Sequence, residues 1–194
     1  MQTLLLRVPG VVFDVDAARA LRTRLQAASP GMQVEIYAAA EADAPETYVY
    51  CTPASADKAA HEFAAVRALA TADGLAGDAR VLDALADLEG ASAGQASAWH
   101  YVVETDVLPE AEDDFNAWYG EEHMPGLAAV PGSVRARRWR APEGGPRYHA
   151  CYDLVSRETF GSPPWLAVRA TDWSSRVRPA FRATKRTMFR RVPA

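Results

Sequence analysis

The stretch Phe115-Asn116-Ala117-Trp118-Tyr119-Gly120-Glu121-Glu122-His123-Met124-Pro125, followed closely by Val130-Pro131-Gly132, decides how this chain is read. At helical spacing Phe115, Tyr119 and His123 fall on one stripe, and Trp118 and Glu122 lie four apart beside it. The pattern predicts a helix from about 111 to 123, with His123 in its last turn and Pro125 turning the chain away. A helix C-terminus favours a protonated histidine by roughly 0.3–1 kcal/mol, and a neighbouring carboxylate such as Glu122 favours it further. A histidine tuned near neutrality is suited to acid–base chemistry. It is equally suited to capping the last carbonyls of the helix. Phe115 and Trp118 read first as core anchors and second as a substrate platform.

Working outward, the same order of elements is read twice. In the front half, Leu4, Leu5, Leu6 and Val8 form a short strand ended by Pro9-Gly10. Asp14 or Asp16 caps a helix over about 16–28, with Ala17, Ala20, Leu21, Leu25 and Ala28 on one stripe. Strands follow at 32–39 and 46–52, and then a helix near 56–72 with His61 on its solvated side. The stretch 75–90 looks more helical than extended. Residues 90–97, Gly-Ala-Ser-Ala-Gly-Gln-Ala-Ser, form a linker candidate. In the back half, 98–107 is rich in β-formers, and strands at 133–140 and 147–155 flank the turn Pro142-Glu143-Gly144-Gly145-Pro146. A helix is expected after Pro164 and a last basic strand at 183–192. The expected fold class is therefore α+β, with two ferredoxin-like βαββαβ units: a degenerate one over 1–90 and a second over 98–192.

Composition narrows the function classes. The chain has 194 residues, 49% of them apolar, and a net charge of -4, which suits a folded globular protein. Its charge is unevenly spread. Residues 1–130 carry seven Lys or Arg against 21 acids, whereas residues 131–194 carry fourteen against four. Cys51 and Cys151 read as buried free thiols. The start, MQTLLLRVPG, reads as a first strand and not as a signal peptide, and no apolar run is long enough to span a bilayer. A cytoplasmic protein with no membrane and no nucleic-acid partner is expected.

The strands supply further candidates by alternation. His100, Val102, Glu104 and Asp106 share one side of their strand, and Trp99, Tyr101, Val103 and Thr105 the other. Arg147, His149, Cys151 and Asp153 share one face of the next, opposite Tyr148, Ala150, Tyr152 and Leu154. His100 and His149 meet if these strands are neighbours; each is otherwise a satisfied structural histidine. The cluster Arg135, Arg137, Arg138, Trp139, Arg140 also alternates. An arginine beside Glu104 or Asp153 makes a structural pair, and one facing a cavity binds a carboxylate or enolate oxygen. The histidine spacing carries no specific metal signature, and no metal is expected.

The pattern Phe115-x-x-Trp118-Tyr119-x-x-Glu122-His123-x-Pro125 with Val130-Pro131-Gly132 resembles the dimeric α+β barrel superfamily, in its EthD-like and antibiotic-biosynthesis-monooxygenase-like parts. Arg137-Arg138-Trp139 and Tyr148-His149-Ala150-Cys151-Tyr152-Asp153-Leu154 continue the resemblance, which is clearest over 99–155. It implies tandem units forming a dimeric-type barrel within one chain, with room for a homodimer but no need of one. It implies, as one reading, a cofactor-independent enzyme acting on a small aromatic or polyketide-like substrate: a cyclase, isomerase, lyase or monooxygenase. The other reading is a non-catalytic barrel that holds a small apolar or aromatic ligand, or none. The catalytic candidates are His123, His100, His149 and Arg138; Trp99, Trp118, Tyr119, Trp139 and Tyr152 would bind substrate. Residues 16–28 lack a Trp-x-x-x-x-His counterpart, so one site, in the second unit, is expected. With no haem motif and no Gly-rich phosphate loop, no cofactor is expected.

Overall fold

The computed structural model describes residues 1–41, 44–75 and 78–193. Its elements run β1 (Gln2–Pro9), α1 (Val15–Ala28), β2 (Gln33–Ala39), β3 (Glu46–Thr52), α2 (Ala59–Ala72), β4 (Asp78–Glu89) and β5 (Trp99–Val107). Then come α3 (Glu112–Trp118), a π-helical turn (Tyr119–His123), α4 (Met124–Ala128), β6 (Ser133–Arg140), β7 (Tyr148–Leu154), α5 (Pro163–Arg169), α6 (Asp172–Val177) and β8 (Phe181–Arg191). The hydrogen-bonded strand order is β1-β3-β2-β8-β5-β7-β6-β4, closing as a barrel. The fold class is α+β, with a βαββαβ order in each half. Two compact units divide the chain: Met1–Ala84 with Met188–Ala194, and Leu85–Thr187.

In the first unit β1 pairs antiparallel with β3 on one side and β4 on the other. Asp14 does cap α1, its carboxylate accepting from the Ala17 amide at 2.8 Å. The helix buries Ala18, Leu21 and Leu25, while Ala17, Ala20 and Ala28 are exposed, so the packed stripe is narrower than the alanines suggest. Its leucines join Leu4, Leu6, Ile36, Val49, Phe63 and Val66 in one core, each side chain contributing about 1.5–3 kcal/mol of burial. No titratable side chain of α1 belongs to that core. Cys51 and Cys151 are buried and form no disulfide, and burial pushes the Cys51 thiol up to about 12.

The stretch 75–90 corrects the sequence reading; its residues 76–77 lie outside those described. It is not helical but carries the twelve-residue strand β4. Leu82, Leu85 and Leu88 fall three apart and imitate a helical stripe, yet Leu82 is fully buried opposite Thr3 of β1 while Leu85 is 42% exposed. Ladder pairing with β1 overrides a weak local preference.

In the second unit β7 lies between β5 and β6, with Tyr101 opposite Tyr152 and Val103 opposite Ala150 on one face. Residues 90–97 are not a free linker. The amides of Gly90, Ala91 and Ser92 donate to the carbonyls of Val134, Ala128 and Ser133, and Ser92 Oγ accepts from the Gly132 amide at 2.9 Å. A side chain at Gly90 would run into the Ser133 carbonyl. Gly90→Ala is therefore expected to destabilise the protein by about 2–3 kcal/mol, the scale of overpacking against an unyielding neighbour. Urea unfolding checks this, and a loss under 0.5 kcal/mol would contradict it.

The helix at 111–123 also departs from expectation. Pro125 does not end it. The chain passes through the π-helical turn, in which the Met124 amide donates to the Tyr119 carbonyl, and continues as α4 with Pro125 in its first turn. Proline is tolerated there because first-turn amides have no intrahelical partner. His123 thus sits in mid-helix, not at a C-terminus.

Candidate active site

The π-helical turn sets the site's geometry. With one extra residue in the turn, the side chain five positions back, and not four, comes into register. His123 accordingly stacks on Trp118, with ring centroids 4.1 Å apart at 23°, and meets Tyr119 edge-on at 5.4 Å. Glu122 does not stand beside the imidazole as an ion-pair partner. Its carboxylate accepts from Trp118 Nε1 at 3.2 Å and from Thr171 Oγ1 at 2.6 Å.

His123 is 7% exposed and lines a cleft floored by Tyr101 and Val103 of β5, Tyr152 of β7 and Trp165 of α5. Trp118, Tyr119, Leu127 and Phe181 complete its apolar wall, and Arg169, Arg178 and Arg186 line its rim. The cleft's volume is about 30 Å3, room for a single water. It does not admit a haem. Three buried polar atoms of the lining have no partner among the described residues: His123 Nδ1, Tyr152 Oη and Trp165 Nε1.

Electrostatics here oppose the sequence expectation. Burial, joined by the Arg169 and Arg178 guanidiniums, pulls the His123 imidazole down to about 3. The ring is neutral at physiological pH. Burial pushes the phenols of Tyr101, Tyr119 and Tyr152 upward, so they too stay neutral and can donate. Arg169 and Arg178 are half-buried and Arg186 is exposed. Arg178 Nε donates to the Ser174 carbonyl at 3.1 Å. Among the described residues no carboxylate pairs with any of these three. The site is a neutral aromatic pocket with a cationic rim, an electrostatic setting that favours negative charge.

The structure brings together His123, Trp118, Tyr119 and Tyr152. The other sequence candidates lie elsewhere. His100 and His149 occupy the opposite face of the sheet, and although β5 and β7 are neighbours the two do not meet. His100 Nδ1 bonds Asp153 Oδ1 at 2.7 Å, and His149 Nδ1 lies 3.5 Å from Glu104 Oε1. Arg137 joins this face as the structural pair anticipated for an arginine near Asp153, at 3.0 Å. Trp139 stands opposite His149 in the ladder, also away from the cleft. Trp99 lies under the Arg157 guanidinium at 5.7 Å. Arg138 is on the helix-covered side but does not line the His123 cleft. Its guanidinium sits 4.3 Å over the Tyr119 ring and 4.9 Å over Phe115. Among the described residues no group of three His, Cys, Asp or Glu is placed to hold a metal, and no helix is long and apolar enough to cross a membrane.

Sequence reasoning missed Arg169, Arg178 and Arg186. The one available signal was the excess of basic residues after 130, which says that the end is cationic but not where the cations converge.

No family model matches the chain, and no curated protein matches it. Solved structures do. A provisionally named monooxygenase from Fusobacterium nucleatum superposes with a TM-score of 0.69 at 11% identity, covering 99% of this chain and 93% of that one. An anthrone oxidase-like protein reaches 0.59 at 14%, covering 99% and 91%. A ferredoxin-fold protein from Listeria monocytogenes related to antibiotic biosynthesis monooxygenases reaches 0.57 at 11%, covering 100% and 95%. The fold they share with this chain is a ferredoxin-like α+β barrel, with a βαββαβ order in each half. At these identities the likeness is one of fold.

Proposed function

We propose that the second unit is the working half of a cofactor-independent enzyme acting on a small aromatic or polyketide-like ketone. The observation that carries this reading is the convergence of an unpartnered, neutral His123 with three arginines that have no acid partner. His123 takes a proton from the carbon beside the substrate carbonyl, and the C–H electron pair moves onto the carbonyl oxygen. Arg169, Arg178 or Arg186 holds that oxyanion. The two roles reinforce each other. An oxyanion among the arginines offsets the charges that depress the imidazole, so His123 becomes more basic as the enolate forms. Where dioxygen is co-substrate, the activated methylene becomes a carbonyl with one oxygen atom, and the other leaves as water with both methylene hydrogens. In this proposal the chain groups with the EthD-like or antibiotic-biosynthesis-monooxygenase-like enzymes, acts in the cytoplasm and has room for a homodimer.

The test uses anthrone and dioxygen. Oxygen uptake with formation of anthraquinone is expected, and His123→Ala should slow it at least about a hundredfold, the low end of general-base effects. Full activity in the variant would overturn the assignment of His123. A cleft of only about 30 Å3 favours a second reading, a barrel without turnover that holds a small apolar ligand or none. Absence of oxygen uptake by the wild type, whether or not anthrone quenches its tryptophan fluorescence, would select that reading.

A further inference from the structure

Arg138 belongs to a separate groove of the second unit, with a volume of about 300 Å3, running along Leu85, Gly120 and Met124 to Arg138, Arg140 and Tyr148. The residue is 5% exposed. Among the described residues its guanidinium makes one hydrogen bond, from Nη2 to Asn116 Oδ1 at 2.7 Å, and its buried Nε has no partner. The remaining surroundings are ring faces, including that of Tyr148 at 5.0 Å. Among the described residues no carboxylate pairs with it. Glu112, which accepts from the Tyr148 hydroxyl, is paired with Arg147 at 2.8 Å.

A buried cation without an acid is costly unless something completes it, and aromatic faces only partly do so. The groove thus offers a guanidinium with an idle N–H at one end, with Arg140 close by on the same strand. Asn116 and the Tyr148 hydroxyl add polar edges, already bonded to Arg138 and Glu112, and the rest of the lining, Leu85, Ala86, Gly120 and Met124, is apolar. A volume of about 300 Å3 corresponds to roughly ten water-sized atoms. Inorganic phosphate would satisfy the charge and leave the Leu85–Met124 floor wet.

We propose that this groove binds a small monocarboxylate of about eight carbons in all, its carboxylate against Arg138 and its chain along Leu85 and Met124. The pairing suits the planar fork of arginine better than a point charge would. The site is independent of the His123 cleft.

Isothermal titration of the full chain with octanoate, octylamine and inorganic phosphate tests this. Octanoate should bind saturably, and the other two should not. Arg138→Met should weaken octanoate at least tenfold, and Arg138→Lys should weaken it less. Gly120→Leu provides a second block, since a side chain there starts in open space and should leave the fold intact. It decides the matter if Arg138→Met fails to fold. His123→Ala should bind octanoate as the wild type does, which separates this proposal from the anthrone test. Unchanged octanoate binding in folded Gly120→Leu and Arg138→Met, no octanoate binding by the wild type, or equal binding of phosphate would each overturn it.

Discussion

Acidification should cost the protein about 2 kcal/mol at pH 5 and about 3 kcal/mol at pH 4 through His123 alone. The imidazole is held at about 3 in the folded chain, against 6.5 for an ordinary histidine. Between these values the unfolded chain binds a proton that the folded chain refuses. Stability is therefore complete above about pH 6.5 and is lost as pH falls toward 3, to a limit of roughly 4–5 kcal/mol. Urea unfolding of the wild type and of His123→Phe, at pH 7, 5 and 4, isolates the contribution. The variant keeps an aromatic ring on Trp118 but has nothing to titrate. Its stability should fall by that much less on acidification, and equal pH slopes would refute the assignment. If the His123 reading is right, kcat/KM should also lack an acid limb near pH 6.5.

Asp153→Ala should be as damaging, at about 3–5 kcal/mol. Asp153 is 3% exposed and bonds His100 through Oδ1 at 2.7 Å and Arg137 through Oδ2 at 3.0 Å. Both are at least 95% buried, so neither can turn to water when the carboxylate goes. Removing one member of a buried pair strands the other, which is why the loss exceeds the pair's net worth. Asp153→Asn keeps the shape and one acceptor and should cost less. A fall in Tm of about 6–20 °C for the alanine variant is expected. A loss below 1 kcal/mol would show that the face reorganises.

These predictions draw on features that were unequally legible in the sequence. Alternation along 98–107 and 147–155 correctly separated His100, His149 and Asp153 from Tyr101 and Tyr152, because a strand's side chains have only two directions. The Asp14 cap was legible because its partner is three residues away. β4 was not: spacing resembling a helix, with few β-branched residues, leaves ladder pairing with β1 to decide. The protonated His123 expected from Glu122 was also wrong, because adjacency in sequence says nothing about which way a carboxylate turns, and Glu122 turns to Trp118 and Thr171. The arginine rim was beyond reach for a related reason. Arg169, Arg178 and Arg186 come from α5, the turn after α6 and β8, and only folding makes them neighbours.

The wide turn at Tyr119–His123 fixes the helical phase of everything after it. Each residue of an ordinary α-helix advances the side-chain direction by about 100°. Deleting Gly120, whose surroundings are open, would return the segment to α-helical winding. Either His123 or the Met124–Leu127 anchor could then keep its bearing, but not both. Met124 and Leu127, each 1% exposed, have more to lose and would hold. The imidazole would rotate out of the cleft, in a chain of the same fold and nearly the same composition. A one-residue length difference here would thus divide close relatives into those that present this histidine to the pocket and those that do not.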